Sequence, residues 1–533
     1  MTNTMQPIFI LPEETKQTSG KNAQRTNIAA AKAVAQAVRT TLGPKGMDKM
    51  IVDSQGNTVI TNDGVTILKE MPIEHPAAKM VVEVAKNQDN VVGDGTTSSV
   101  ILAGELLKQA EHLLDLDIHP TMIAKGYHIA GVEARRILNT IARPIKISDM
   151  ELLRQIATTA MTGKGAESSK EQLSHIVVEA ITTIAENKGE TSFEVNLDNI
   201  KIESSVGESI KQSKLVRGIV LNKERVHPEM PTKVENAKIA LLNCPIEIKN
   251  TEIDAKIQIT TPSQLDQFLA QEEAMVKQIT DKIIISGANV VLCQKGIDEI
   301  AQHYLAKANI LALRRIRKSD MEKLARATKA TIINSWKDLD EESLGNAAVV
   351  REEKNNDEEM VYVEGCPNPK ALSIVVKGGT EHVVEEIKRS IEDALGDLAA
   401  TLLGGKIVAG AGATEIIVSK HLRQYAQQLH GREQLAVKAF ADALEIIPRT
   451  LAENAGIDPI DVLTGLKASP LEWPGINVFS GAIMNSWTEG VIEPLKIKTQ
   501  AIISATEVSE MLLRIDDVIF NAKEERRNIP NLE

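Results

Sequence analysis

The sequence has 533 residues, of which 43% are hydrophobic, 25% are charged and only 2% are aromatic, and its net charge is −12. This length exceeds one domain, and about three domains are expected. The acidic balance argues against a nucleic-acid-binding surface or an anionic-membrane surface, because both need a basic face.

The cysteines, the histidines and the hydropathy narrow the class of protein further. Cys244, Cys293 and Cys366 show no CxxC spacing, which indicates buried free thiols in a reducing compartment. The ten histidines contain no HExxH or HxxxH pattern, so no zinc site is expected. No apolar run approaches a membrane span, and the N-terminal stretch lacks the basic region of a signal peptide. These features favour a cytoplasmic protein that needs no membrane.

The first part of the chain reads as mainly helical. Helices are predicted over 22–42, 77–87, 96–114 and 120–140, with short strands over 50–53 and 58–61. The first helix carries an apolar stripe from Ile28 to Leu42 and ends at Gly43-Pro44, a common helix stop. This region is expected to form one helical domain.

The middle of the chain alternates strands and helices. Helices are predicted over 149–160, 168–186, 263–279 and 296–307, a strand-like stretch over 191–222, and strands over 238–242, 283–285, 290–293, 310–313 and 331–333. A βαβ unit within this pattern predicts a separate α/β domain. The long segment 245–278 is expected to project from it as an insertion.

The last part of the chain returns to helices. Helices are predicted over 380–403, then to about 467 with a break at Pro448, and finally over 499–521, with a hairpin region from 473 to 497. Asp393 lies two residues from Ile391 in the apolar stripe of the first of these helices. Periodicity alone therefore predicts that Asp393 belongs to a solvated acidic face with Glu386 and Asp397.

One stretch, Gly93-Asp94-Gly95-Thr96-Thr97, combines an acidic residue between glycines with the start of a helix. Unpaired N–H groups and a positive macrodipole end make such a helix start attractive to phosphate. An Asp-Gly turn followed by an ordinary N-cap is the alternative. Similar glycine-flanked polar turns occur at 43–46, 62–64, 162–165 and 410–413. No Walker A or GxGxxG motif is present, so the residues alone leave both interpretations open.

Several longer strings resemble a known family. They are TTLGPKGMDKM at 40–50, VITNDGVTILKEM at 59–71, IEHPAAKM at 73–80, VGDGTT at 92–97, HPTMIAKGY at 119–127, TGKGA at 162–166, KIVAGAGATE at 406–415, AGIDPIDVL at 455–463, INVFSG at 476–481 and EPLKIKTQAI at 493–502. These strings, in this order, resemble the chaperonins, and the match is closest to the group II branch that includes the archaeal thermosome. Several positions depart from the usual pattern: Ala411 and Lys329 stand where glycine is common, and Asn90-Val91 stand where acidic residues are common.

The resemblance implies a multidomain α+β and α/β architecture. It predicts a mainly helical equatorial ATP-binding domain over 1–148 and 404–533, and a small intermediate hinge domain over 149–218 and 370–403. An α/β apical domain over 219–369 would bind client proteins, with the segment 245–278 as a helical lid protrusion.

The resemblance also implies a function, an ATP-dependent molecular chaperone that hydrolyses ATP with Mg²⁺, and with K⁺ as a further candidate ion. Its partners would be unfolded client proteins and its own or paralogous subunits in a stacked double ring that closes its built-in lid, with no nucleic acid. A holdase without ATP turnover and a small-molecule kinase are the rival functions, and the carboxylate set Asp63, Asp94 and Asp393 favours the ATPase.

Carried over by motif, Asp94 would be the Mg²⁺ ligand, and Asp63 and Asp393 would position the attacking water. Gly43, Gly95, Thr96 and Thr97 would hold phosphates, with Leu42, Pro44 and Ser98 in the same binding set. Lys164 would sense the γ-phosphate, Gly412 and Glu493 would contact the ribose, and Asn477 would contact the base.

Overall fold

The computed structural model describes residues 15–52, 56, 58–164, 169–187, 193–207, 209–247, 262–355, 358–367 and 370–521. The helices in these ranges are α1 (Gly20–Arg39), α2 (Gly64–Glu70), α3 (Pro76–Val92), α4 (Thr96–Asp115), α5 (Pro120–Ile141), α6 (Met150–Met161), α7 (Lys170–Ile184), α8 (Pro262–Ile285), α9 (Glu299–Lys307), α10 (Lys318–Thr328), α11 (Glu381–Gly404), α12 (Ala413–Ala426), α13 (Arg432–Leu444), α14 (Ile446–Asn454), α15 (Pro459–Ala468) and α16 (Leu495–Leu513).

The strands in the same ranges are β1 (Thr15–Ser19), β2 (Lys49–Val52), β3 (Thr58–Thr61), β4 (Arg143–Pro144), β5 (Glu186–Asn187), β6 (Phe193–Glu194), β7 (Ile200–Val206), β8 (Lys214–Val216), β9 (Gly218–Leu221), β10 (Lys233–Leu242), β11 (Val290–Cys293), β12 (Leu311–Leu313), β13 (Ile332–Ile333), β14 (Gly345–Asn355), β15 (Glu358–Glu364), β16 (Leu372–Gly378), β17 (Lys406–Ala409), β18 (Pro474–Ile476), β19 (Ile483–Asn485), β20 (Ile492–Pro494) and β21 (Asp517–Asn521). The chain divides into two units, one of Met1–Lys164 with Gly396–Glu533 and one of Gly165–Leu395.

The first unit is built around α4. This helix packs against α1, α3, α13 and α16, and buried residues occur on all of its sides. A helix that is apolar nearly all round belongs in the centre of a core rather than on its surface. Because α4 is central, its N-terminus has a fixed position among the loops that reach it.

Small sheets complete the first unit. β1 pairs antiparallel with β21, so the two ends of the described chain lie side by side. β17 pairs antiparallel with both β4 and β20, and β18 forms a hairpin with β19. β2 and β3 form a second hairpin.

The second unit contains a mixed seven-stranded sheet with the order β12-β11-β10-β14-β15-β9, and β13 also pairs with β10. Successive residues of β10 face opposite cores, because Ile239 and Leu241 join one cluster and Ala240 and Leu242 join the other. The period of two places apolar side chains on both faces, as in a sheet covered on both sides. A smaller sheet, β7-β16-β8, belongs to the same unit.

Two predicted elements near the ends of long helices are wrong. Residues 283–285 were expected to form a strand, but they form the last turn of α8. The predicted final helix over 499–521 ends at Leu513, and the chain then forms β21. The predicted helix break near Pro448 is present three residues earlier, at Glu445 between α13 and α14, and Pro448 lies in the first turn of α14, where a proline is tolerated.

The predicted acidic face on α11 is also wrong for one member. Asp397 is buried, at 2% exposure, whereas Asp393 is half-buried. The division between the two units falls within α11, after Leu395. Periodicity assumes that a helix exposes the same side along its whole length. The packing around α11 changes along the helix, so periodicity did not predict the burial of Asp397.

The cysteine prediction agrees with the structure, because Cys244, Cys293 and Cys366 are buried free thiols. Burial raises the pKa of Cys293 to about 12 and that of Cys366 to about 11. Among the described helices, none is both long enough and apolar enough to cross a bilayer. Of the predicted insertion, residues 248–261 lie outside the described residues, and the remainder includes the first part of α8.

Candidate nucleotide-binding site

Two glycines turn the chain sharply between α3 and α4. Gly93 ends α3 with a φ of 92°, and Gly95 precedes α4 with a φ of 77°. Residues with a Cβ rarely adopt this left-handed conformation. A Cβ at Gly95 would also lie 2.6 Å from Ile497 Cγ2. Only glycine therefore allows the turn that presents Asp94 and the first N–H groups of the central helix.

Asp63 lies at the N-cap of α2 and is tied to the start of α4. Its Oδ2 accepts hydrogen bonds from the Thr66 N–H at 2.9 Å and the Thr66 hydroxyl at 2.7 Å. Its Oδ1 accepts from the Thr96 hydroxyl at 3.1 Å. These bonds are typical of an N-cap carboxylate, and they hold the carboxylate of Asp63 beside the first residue of α4.

Lys164 approaches Asp94, with 3.7 Å between Nζ and Oδ1. The preceding loop is held by a hydrogen bond from the Asn62 side-chain amide to the Gly163 carbonyl, at 3.1 Å. Gly163 has a φ of 81°, and a Cβ on it would lie 2.5 Å from Pro44 Cα. The turns at 43–46, 62–64, 93–97 and 162–164 therefore converge within the first unit.

Helix α14 supports two of the predicted binding loops. Gly43 has a φ of 81°, and a Cβ on it would lie 2.3 Å from Leu451 Cδ2. Gly412 has a φ of 78°, and a Cβ there would lie 2.6 Å from Pro448 Cβ. Pro448 and Leu451 are three residues apart and share a helix face. Both loops can approach that face closely because neither carries a side chain at the contact.

Asn477 lies in the turn of the β18–β19 hairpin. Its Oδ1 accepts hydrogen bonds from the N–H groups of Phe479 and Ser480 at 3.0 and 3.1 Å, so this oxygen is used by its own turn. The neighbouring Ile476 donates its N–H to the Ala411 carbonyl at 3.1 Å, which brings the hairpin beside the loop that contains Gly412.

Glu493 belongs to a network of three charges in which Lys498 and Glu415 are buried and Glu493 is partly exposed. Lys498 lies 2.5 Å from Glu493 Oε2 and 2.9 Å from Glu415 Oε1. Burial raises the pKa of Glu493, Lys498 opposes the rise, and the charges of Glu415 and Asp94 add to it. A Cβ at Gly410 would lie 2.4 Å from Glu493 Oε1, so the loop passes directly over this carboxylate.

The remaining predicted residues divide between the two units. Leu42 accepts a hydrogen bond on its carbonyl from the Asn454 side chain at 2.9 Å, and Thr97 packs against Gly64. Ser98 lines a pocket in the first unit that Glu415 and Lys498 also line. Asp393 belongs to the second unit, so its predicted role beside Asp63 and Asp94 stays a prediction.

Two supporting residues were missed from the sequence. Gln88 is fully buried, and its Nε2 donates to the Asp94 carbonyl at 2.9 Å and the Ile497 carbonyl at 3.3 Å. It therefore positions the turn that presents Asp94. Lys498 is the second, and its only sequence signal is its place in the string that begins at Glu493. A polar residue inside an apolar helix face, such as Gln88, is a signal that could have been noted.

The oxygen-rich composition of this region fits Mg²⁺. Carboxylates from Asp63 and Asp94 and hydroxyls from Thr96 and Thr97 are hard oxygen donors of the kind that Mg²⁺ prefers. Lys164 and the N-terminus of α4 add positive charge suited to phosphate oxygens. The geometry can therefore accept a metal-bound polyphosphate.

The chain is similar to known proteins along most of its length. The model of the TCP-1/cpn60 chaperonin family matches residues 34–523. The chain is 61% identical to thermosome subunit beta of Archaeoglobus fulgidus over 517 residues, which cover 96% of this chain and 95% of that protein. It is 58% identical to the thermosome subunit of Methanopyrus kandleri over 515 residues, which cover 96% and 94% of the two chains.

One solved structure extends the similarity to the fold. It is the open-state monomer of a group II chaperonin from Methanococcoides burtonii, with a TM-score of 0.59 and 45% identity. The match covers 80% of this chain and all of that one. The resemblance and the multidomain fold class expected from the sequence are thereby confirmed.

Proposed function

The chain belongs to the TCP-1/cpn60 chaperonin family, in the group II branch of thermosome subunits, and we propose that its first unit binds Mg²⁺-ATP and hydrolyses it. A member of this family is an ATP-dependent chaperone with ATPase activity coupled to protein folding. The observation that carries the assignment of the site is the convergence of Asp63, Asp94 and Lys164 at the N-terminus of α4.

The proposed binding mode uses backbone and side chains together. The N–H groups at the start of α4, the hydroxyls of Thr96 and Thr97 and the backbone of Gly43 and Gly95 would hold phosphate oxygens. Asp94 would hold Mg²⁺, which when bound neutralises phosphate charge. A contribution from K⁺ rests on the family resemblance alone.

The hydrolytic step needs a group that orients water. Asp63 is fixed by hydrogen bonds from Thr66 and Thr96, which suits a carboxylate that must hold one orientation. Asp393 is proposed as the second such carboxylate, on the strength of its motif. Glu493 and Gly412 would contact the ribose, and Asn477 would contact the base.

The wider assembly is part of the same proposal. The subunit would form rings with its own or paralogous copies, stack them in pairs and enclose unfolded proteins. The equatorial, intermediate and apical boundaries of the sequence prediction, and the lid role of 245–278, stay proposals that rest on the order of the motifs. The buried free thiols support a cytoplasmic location.

ATP hydrolysis by two aspartate variants tests the site. Asp94→Ala is expected to weaken Mg²⁺-dependent ATP binding, measured by calorimetry. Asp393→Ala is expected to bind ATP with nearly the affinity of the wild type but to hydrolyse it at least about 100-fold more slowly, because a positioned acid–base group contributes that much.

Asp89→Ala is the matched control, because Asp89 lies nearby on α3 and pairs with exposed Lys69. This control should bind and hydrolyse ATP as the wild type does. Wild-type turnover in Asp393→Ala would remove its proposed role, and unchanged Mg²⁺-ATP affinity in Asp94→Ala would remove the proposed metal ligand.

A further inference from the structure

Three metal-ligating side chains meet on the surface of the second unit, in a part of the chain that the ATPase site does not use. His227, Glu229 and His303 each offer one ligand atom, and these three atoms all lie within 4.8 Å of one another. The two imidazole rings have centroids 6.3 Å apart. Sequence spacing could not reveal this group, since His303 lies on a separate helix far along the chain.

The His227–Glu229 side of the group is held by a tight turn. The Met230 N–H donates to the His227 carbonyl at 3.1 Å, and the Glu229 N–H donates to His227 Nδ1 at 3.2 Å. Met230 is buried at one end of the turn, and Val226 packs against the same core at the other end. The turn is therefore anchored on both sides while His227 and Glu229 remain accessible.

The His303 side is held by α9. Ala301, Leu305 and Ala306 of this helix are buried in the core cluster that also contains Met230. His303 itself is exposed on the opposite side of the helix. Two rigid elements that share one core thus present the three ligands, so little ordering is needed when a metal binds.

The charged residues around His227, Glu229 and His303 are also compatible with the binding of a cation. Arg225 is the nearest cationic residue along the turn, but it is paired with Glu352 at 3.3 Å and donates to the Met230 carbonyl at 2.6 Å. Its charge is therefore compensated within the turn. Glu229 adds a negative charge at the group itself.

We propose that His227, Glu229 and His303 form a binding site for a divalent transition metal of the Zn²⁺ class, which ties the turn at 227–230 to α9. Two imidazoles and one carboxylate suit Zn²⁺, whereas Mg²⁺ and Ca²⁺ prefer oxygen ligands alone. Three protein ligands leave the fourth tetrahedral position to water. The site is independent of the ATPase assignment.

Titration of the full-length protein with ZnCl₂ in excess Mg²⁺ tests the proposal, since Mg²⁺ occupies the oxygen-rich sites. One equivalent of Zn²⁺ should bind per subunit in calorimetry. His303→Ala and His227→Ala should each weaken this binding at least about tenfold. Loss of a group that only supports a metal ligand already weakens metal binding by about tenfold, and loss of the ligand itself should weaken it more. CoCl₂ should give the intense visible bands of a tetrahedral site in the wild type and lose them in both variants.

His382→Ala is the matched control, because His382 is an exposed histidine of the same unit outside the group. It should bind Zn²⁺ like the wild type, and Asp94→Ala should do so as well, which separates this site from the ATP site. Circular dichroism of each variant checks that the fold is intact. Absence of Zn²⁺ binding in the wild type, or equal affinities in His303→Ala and His382→Ala, would overturn the proposal.

Discussion

Lys498 is enclosed by protein and touches two carboxylates, Glu415 and Glu493. Burial by itself would lower the pKa of Lys498, but the two carboxylates raise it above its usual range, so the amine stays charged. Removing one member of a buried charge network leaves the others uncompensated. At this residue, folding of the first unit and the shape of its proposed ribose contact depend on the same ion pairs.

Lys498→Met is expected to destabilise the first unit by about 3 kcal/mol, because buried Glu415 and partly exposed Glu493 would both lose their cation. The shift of the urea unfolding midpoint measures the loss. Adding Glu493→Gln to this variant should recover part of it, since one uncompensated charge disappears. Lys496→Met, a half-exposed neighbour on α16, should change stability by less than about 0.5 kcal/mol. Equal midpoints for the two lysine variants would contradict the network.

Two residues that depart from the family pattern share one backbone property. Lys329 has a φ of 64° and Ala411 has a φ of 56°, both in the left-handed region. Glycine is usual at these positions because side chains with a Cβ are strained there, by about 1–2 kcal/mol. Both departures from glycine are visible in the sequence, but only the backbone φ angles show that a side chain at these positions is strained.

Lys329→Gly is therefore expected to stabilise the second unit by about 0.5–1 kcal/mol, since relief of the strain exceeds the added freedom of the unfolded chain. Thermal unfolding measures the gain. Asn309→Gly is the control, because Asn309 has a similar φ of 58° but asparagine tolerates this region. It should raise the unfolding temperature less than Lys329→Gly does. A fall in unfolding temperature for Lys329→Gly would contradict the strain argument.

At the scale of elements, the β2–β3 hairpin exposes apolar side chains on one face. Met50 lies opposite Ile60 in the ladder, and Val52 follows two residues on, so all three share that face. Met50 is 66% exposed and Val52 is 59% exposed. A contiguous exposed apolar face commonly marks a surface that another protein covers, and ring neighbours are the partners that this family supplies.

Met50→Lys combined with Val52→Lys is expected to convert the assembled rings into smaller species, because two charges would enter a dry subunit contact. Size-exclusion chromatography with light scattering measures the change. Leu116→Lys, at an equally exposed but isolated leucine outside the hairpin, should leave the assembly intact. An unchanged mass for the hairpin variant would show that this face is not covered by a neighbour.

The helices and strands also show which features sequence patterns can predict and which they cannot. Most helices were found within a few residues because their apolar periodicity is strong. The run Ile283–Ile285 was misassigned as a strand, although Val276, Ile279 and Ile283 repeat at helical spacing and are buried together in α8. β21 was missed because its partner, β1, lies at the opposite end of the chain. No local pattern carries that information.

For the candidate site, too, local sequence patterns carry no information about partners from distant parts of the chain. Local pattern left the stretch 93–97 undecided between a turn and a phosphate site, since its supports come from distant parts of the chain. Asp63 reaches Thr96 through a hydrogen bond, and α14 supports the loops of Gly43 and Gly412 through packing. Family motifs named the residues, but only the fold shows how they are held.

At the scale of the whole molecule, the chain builds one unit from both of its ends and inserts the other between them. The ends of the first unit are joined by β1 and β21, so its two segments form one folded body. Within the second unit, the seven-stranded sheet has its own cores on both faces. Nearly all residues of these two cores come from the sheet and its own helices, so most of the sheet's burial does not depend on the rest of the chain.

The fragment 217–367, which holds this sheet with α8, α9 and α10, is therefore expected to fold alone. At about 0.7 kcal/mol per residue, calorimetry should show one cooperative transition with an enthalpy of about 100 kcal/mol near 60 °C. Leu292→Asp is the control, because Leu292 is fully buried and a charge there should abolish the transition. A broad, non-cooperative transition in the wild-type fragment would instead show that β16, whose Val375 belongs to the same buried cluster as Tyr362 of β15, is needed to complete the sheet's core.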